Sequence, residues 1–173
     1  LYFGAALEDS EGRGCLPRKE LLDLEPRMIE AEEWLQKGFR DKQEGFGWVG
    51  LPAQDLGPIF DQAEWLNSFG SIIQIGIGGS ALGNRMLNNA LLHPYYNELP
   101  RDRRKGPRFY IADNVDPEGN HAIWDMVDPE DTALVVVSKS GSTAETMANF
   151  MFFFEKMSAV LGTSGALKNI IVI

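Results

Sequence analysis

Ala133–Val137, ALVVV, is five apolar residues in a row with no polar alternation. A strand of that kind is covered on both faces, because a strand with one wet face alternates. Three other short apolar runs share its character: SIIQIGI (71–77), RFYIA (108–112) and NIIVI (169–173). Helical spacing predicts helices between them over about 81–92, 117–127 and 143–161. Short strands alternating with helices make a parallel sheet with helices on both sides. The expected fold class is α/β, a three-layer αβα unit with a parallel sheet, preceded by short helices.

Residues 1–55 read as an amino-terminal helical preface and 56–173 as the α/β unit. In LEPRMIEAEEWLQKGF, Pro26 stands near a first helical position, and Met28, Ala31, Leu35 and Phe39 share one face. EGFGWVGLP breaks that helix with three glycines and Pro52. A further helix is expected from about Pro58 to Phe69, with Ile59, Ala63 and Leu66 facing inward. In DPEG, Asp116 is placed to cap the helix that starts at Pro117. The last helix carries Met147, Phe150, Met151, Phe154 and Met157 as a core stripe. Phe152 and Phe153 widen that stripe, which suits burial against a second domain or a partner chain. NIIVI at the end of the sequence leads to the expectation that the chain is the amino-terminal piece of a longer polypeptide.

Composition removes several classes of function. A formal charge of −9 argues against nucleic acid, which needs clustered Lys and Arg. The one basic cluster, RDRRKGPR (101–108), reads as a solvated loop. No run reaches the roughly 18 apolar residues of a membrane span. The single cysteine, Cys15, reads as a spectator thiol and suits a reducing, cytoplasmic setting. His93 and His121 stand apart and no cysteine pair exists, so no metal site is expected.

Chemistry concentrates in two loops that join a strand end to a helix start. The first is IGIGGSALG, Ile75 to Gly83. Gly76, Gly78 and Gly79 let the backbone turn sharply and approach a ligand, and Ser80 is placed to cap the next helix. The second is SKSGSTAET, Ser138 to Thr146, with five hydroxyls among nine residues. Gly141 marks its turn, and Ser142 or Thr143 its cap. Both loops lie at the carboxyl edge of a parallel sheet, where ligands bind. Helix starts present unpaired N–H groups that attract anions. Ser138, Ser140 and Thr143 therefore form a candidate phosphate cradle, local enough to work in an acidic chain.

Neither loop has the Gly-Lys-Ser/Thr of a nucleotide P-loop. GIGGSA does fit the dinucleotide pattern Gly-x-Gly-x-x-Ala. That reading expects an acid about 20 residues on, whereas Asp113, the nearest strand-end acid, follows Gly83 by 30 residues.

IGIGGSALG and VVSKSGSTAET together resemble the sugar-isomerase (SIS) domain, and more closely the amino-terminal half of the glucose-6-phosphate isomerase family. ADNVDPEGN is similar to that family's SNVD segment. The resemblance runs from about residue 20 to the end. It implies that Ser138, Ser140 and Thr143 hold a sugar phosphate, with Lys139 and Ser142 beside them and Gly79 and Ser80 near the sugar. It implies interconversion of glucose 6-phosphate and fructose 6-phosphate through a cis-enediol, as a step of glycolysis and gluconeogenesis, without cofactor or metal. The family's catalytic Glu, Arg, His and Lys lie in its second half, so none is expected here, and this chain alone is expected to be inactive. A homodimer is implied for the full-length enzyme. The alternatives are a non-catalytic SIS sensor domain and another SIS sugar-phosphate isomerase.

Overall fold

The structure, a computed structural model, describes residues 17–173. Cys15 lies outside the described residues. The chain divides into a unit ending at Leu56 and a unit from Gly57 to Ile173.

The first unit contains α1 (Arg18–Asp23), α2 (Glu25–Arg40) and a 3-10 stretch, Gly47–Ala53. Pro26 lies in the first turn of α2, where its missing N–H has no partner to lose. Gly38 is buried because Phe46 packs on it, and a Cβ there would meet that ring at 2.4 Å. Phe46 also meets Trp34 edge-on, with ring centroids 4.8 Å apart. The expected apolar face of α2 is largely open: Met28 and Phe39 are exposed.

The second unit runs α3 (Gly57–Asn67), β1 (Ser71–Ile75), α4 (Gly79–Leu91), β2 (Arg108–Ala112), α5 (Pro117–Asp125), β3 (Thr132–Val136), α6 (Ala144–Leu167) and β4 (Ile170–Val172). The four strands are parallel in the order β2-β1-β3-β4, with helices on the sides. β1 and β3 are the central strands, and every residue of both is buried. This accounts for the unbroken apolar character of ALVVV. Ile73, Ile75, Leu134, Val136, Phe153 and Met157 form the core.

Several boundaries and faces differ from expectation. β1 ends at Ile75, not Ile77; the Gly76 N–H makes the last bond of its ladder, to the Ala112 carbonyl at the end of β2. Asp116 caps α5 as expected, accepting from Glu118 N at 3.1 Å. α6 breaks at Gly162 (φ 70°, ψ 159°), where its end was expected, and a further turn runs to Leu167. Its buried residues are Thr146, Asn149, Phe153, Met157 and Ala166. Met157 of the expected Met/Phe stripe is in the core and Phe150 and Phe154 pack against it, but Met151 is 64% exposed. Phe152 is covered by His121, with centroids 4.9 Å apart, and by Lys156. On α3, Ile59 is exposed rather than inward.

The basic segment is also more than a solvated loop. Arg101 donates to the Asn67 carbonyl (2.9 Å) and Arg108 to the Asn97 carbonyl (2.9 Å), so the segment is tied to its neighbours. Arg104 is half-buried.

Candidate functional site

Strand order places the two loops side by side. In a β2-β1-β3-β4 sheet the connections leaving β1 and β3 diverge, and the crevice between their carboxyl ends is the usual ligand position. The first loop leaves β1 and the second leaves β3. They touch at Gly76, where a Cβ would lie 2.9 Å from the Ser80 carbonyl oxygen and 3.2 Å from that of Val137. The Val137 N–H donates to the Ile75 carbonyl at 2.8 Å, which locks the two loop bases together.

Gly78 adopts φ 57°, ψ −121° and is the N-cap of α4. Only glycine adopts such a conformation without strain. Ser80 therefore does not cap α4 as expected: the helix starts two residues earlier, at Gly79, and no side chain caps it. Ser80 is instead held from below. Its carbonyl accepts from Gln74 Nε2 at 2.7 Å, and Gln74 Oε1 accepts from Asn84 Nδ2 at 2.7 Å. Gln74 is 1% exposed, so both of its polar ends need such partners.

The second loop is ordered by its own hydroxyls. Ser138 Oγ accepts from the Gly141 N–H at 3.0 Å. Ser140 Oγ accepts from the Ser142 N–H and the Ser142 hydroxyl, both at 3.2 Å. A hydroxyl whose oxygen is used this way keeps its own hydrogen free to donate elsewhere. Gly141, at φ 67°, makes the turn. Thr143 is the N-cap of α6 by position, but its side chain makes no capping bond. The first-turn N–H groups of α6 thus remain unclaimed by a cap, together with the helix's partial positive charge. Lys139, Ser140, Gly141 and Ser142 are exposed and form an open ledge at the carboxyl edge of the sheet.

A third segment, between β2 and α5, borders the same edge. Asp113 Oδ2 accepts from Arg85 Nε (2.9 Å) and Nη2 (2.5 Å). Asn149 on α6 is 1% exposed. Its Nδ2 donates to the carbonyls of Ala112 (3.4 Å) and Asn114 (3.0 Å), and its Oδ1 accepts from Asn120 Nδ2 at 2.9 Å. The helix that carries the hydroxyl loop is therefore pinned to β2 and α5. Sequence reading missed Gln74, Arg85 and Asn149. The available signal was a lone polar residue within an apolar strand or stripe, as in SIIQIGI and TMANF.

The structure brings Gly79 and Ser80 of the first loop to the same edge as Ser138, Lys139, Ser140, Ser142 and Thr143. Among the described residues no group of three or more His, Cys, Asp or Glu side chains could hold a metal ion. None of the described helices is long and apolar enough to cross a membrane.

The model of one family, phosphoglucose isomerase, matches residues 59–173. The chain belongs to the phosphoglucose isomerase family. Among curated members, the glucose-6-phosphate isomerase of Rubrobacter xylanophilus is 40% identical over 157 residues, covering 90% of this chain and 35% of that protein. That of Listeria monocytogenes is 34% identical, covering 88% and 35%. The chain thus spans about a third of the length of these relatives. Among solved structures, a hypothetical protein from Thermus thermophilus aligns with a TM-score of 0.69 at 32% identity, over 89% of this chain and 35% of that one. A glucose-6-phosphate isomerase from Chlamydia trachomatis aligns with a TM-score of 0.52 at 32% identity, over 65% and 21%.

Proposed function

We propose that this chain is the phosphate-holding part of an aldose–ketose isomerase that interconverts glucose 6-phosphate and fructose 6-phosphate. The observation that carries the reading is the contact of the two loops at Gly76 and Val137, at the divergence point of a parallel sheet. Membership of the phosphoglucose isomerase family supports the choice of substrate.

In this reading the hydroxyls of Ser138, Ser140 and Thr143 donate to phosphate oxygens, and the first-turn N–H groups of α6 add to them. Lys139 and Ser142 flank the phosphate. Gly79 and Ser80 form the wall beside the sugar, where the absence of a side chain at Gly79 admits it closely. Ring opening and proton transfer between C2 and C1 through a cis-enediol need a carboxylate base, a cation for the developing oxyanion and an acid. Two carboxylates at the loop edge of the sheet are poor candidates for the base. Asp113 is committed to Arg85. Glu145 stands in the first turn of α6, where the helix dipole explains it. The catalytic groups are assigned to parts of the enzyme outside this chain, which acts as a homodimer in the cytoplasm when complete.

Each hydrogen bond to a charged group contributes about 1.5–3 kcal/mol, so the loss of one weakens binding about tenfold or more. Titration of the Ser140→Ala/Thr143→Ala variant with 6-phosphogluconate tests the reading. The expected result is a large loss of affinity with an unchanged melting temperature. Unchanged affinity would leave the hydroxyls as simple loop-formers. In a coupled assay the 173-residue chain alone is expected to show no turnover; turnover would place the catalytic groups within it.

A further inference from the structure

Gln74 is a polar residue in β1, the central strand that carries the first loop. Its strand neighbours, Ile73 and Ile75, belong to the core, and Gln74 itself is 1% exposed. Side chains alternate along a strand, so Gln74 points to the face opposite those two isoleucines. An apolar side chain of the same length would fill that space with no polar group to satisfy. What the amide adds is two directed bonds, both to α4. Its Nε2 donates to the Ser80 carbonyl at 2.7 Å, and its Oε1 accepts from Asn84 Nδ2 at 2.7 Å. Ser80 and Asn84 stand about one turn apart on α4, so one strand side chain grips two successive turns of the helix. The Ser80 carbonyl can only accept. It therefore selects the Nε2 end of Gln74 and leaves Oε1 to Asn84, and the three groups fit in one orientation.

The first loop has little else to fix its far side. Gly76, Gly78 and Gly79 surround the single side chain of Ile77, and α4 starts without a side-chain cap. Glycines lose more conformational freedom on ordering than other residues, so such a loop needs an outside anchor. The Ser80 carbonyl also packs against Gly76, where the Val137 carbonyl at the base of the second loop comes in. A shift of the Ser80 main chain therefore alters the spacing of the two loops. The Ser138 and Ser140 hydroxyls, by contrast, are ordered within their own loop and owe nothing to Gln74.

We propose that Gln74 is a positioning residue of the sugar-phosphate site. Through the Ser80 carbonyl, and braced by Asn84, it sets where Gly79 and Ser80 stand against the hydroxyl loop. It thereby governs how well the site takes the sugar part of the ligand, and leaves the grip on the phosphate alone. This role rests on the sugar-phosphate reading of the two loops.

Nitrogen-15 NMR titration of the 173-residue chain with 6-phosphogluconate, and separately with inorganic phosphate, tests it, with the melting temperature measured alongside. In Gln74→Met the affinity for 6-phosphogluconate is expected to fall about tenfold, the equivalent of one hydrogen bond, while that for inorganic phosphate changes by less than about twofold. Asn84→Leu, at an exposed helical position, is expected to move the ratio of the two affinities the same way by a smaller factor. Asn84→Gln, which keeps an amide donor, should restore it. An unchanged ratio in Gln74→Met would overturn the proposal. So would equal losses for both ligands with a lower melting temperature, which is the mark of a packing residue. Should Gln74→Met fail to fold, Asn84→Leu decides by the same ratio. A wild-type chain that binds neither ligand would overturn the sugar-phosphate reading as well; one that binds both, with the ratio insensitive to these variants, would overturn the role of Gln74 alone.

Discussion

Gly76 and Gly78 are two residues apart and do different work, and substitution should tell them apart. At Gly78 an added Cβ meets nothing within 4 Å, so Gly78→Ala acts through backbone strain alone. Holding a non-glycine residue at φ 57°, ψ −121° is expected to lower unfolding free energy by about 1–3 kcal/mol in a denaturant titration. At Gly76 the backbone is ordinary and the contact is steric, so Gly76→Ala is expected to push the loops apart and weaken sugar-phosphate binding more than stability. Tyr110 supplies a residue-scale pH effect. Burial, with Glu98 adding to it against Arg108, raises its phenol pKa above the ordinary 10.0. A raised folded value means that its contribution to stability is complete below the unfolded value and declines as pH climbs past it. Thermal melts should therefore show an alkaline loss of stability from about pH 10. That loss should shrink in Tyr110→Phe. The glycines and hydroxyls of both loops were legible from sequence because their chemistry is local. Ser80 does not cap because glycine at φ 57° starts the helix two residues early.

Strands and helices were legible wherever one residue type dominated a run. The parallel sheet followed from ALVVV and its companions, and the Asp116 cap from DPEG. The buried face of α6 was legible only in part: Met157 is in the core, but spacing alone favoured Met147 and Met151 over Thr146 and Asn149. The reason is tertiary. α6 lies over the end of β2, where the Asn149 amide donates to the Ala112 and Asn114 carbonyls and accepts from the buried Asn120, which a thioether could not do. Asn149→Ala removes three hydrogen bonds and leaves the buried Asn120 amide without its acceptor. A loss of about 2–4 kcal/mol is expected by chemical denaturation. Asn149→Asp should be no better, since it cannot donate to the two carbonyls. By contrast the Arg85–Asp113 pair is partly exposed, at 45% and 28%, and Arg85→Ala should change stability by less than about 1 kcal/mol.

At the scale of the molecule, a small dry core coexists with much open apolar surface. Leu82, Met86 and Leu91 on α4 and Met151 and Val160 on α6 are all more than half exposed. Surfaces of this kind bind hydrophobic dyes and self-associate. The chain in isolation is therefore expected to bind such a dye strongly and to scatter light in a concentration-dependent way. A monodisperse sample without dye binding would contradict this. These faces could not be read as open from sequence, because an amphipathic stripe looks the same whatever covers it. The bond from Val137 N–H to the Ile75 carbonyl has a further consequence, for hydrogen exchange. The loop tips can fray at almost no free-energy cost, yet their bases are bonded across the two central strands. Deuterium should enter at Ser140 and Gly141 within the dead time, while Val137 exchanges only when the whole sheet opens. The ledge can thus adjust to a ligand at its rim without its two halves ever separating.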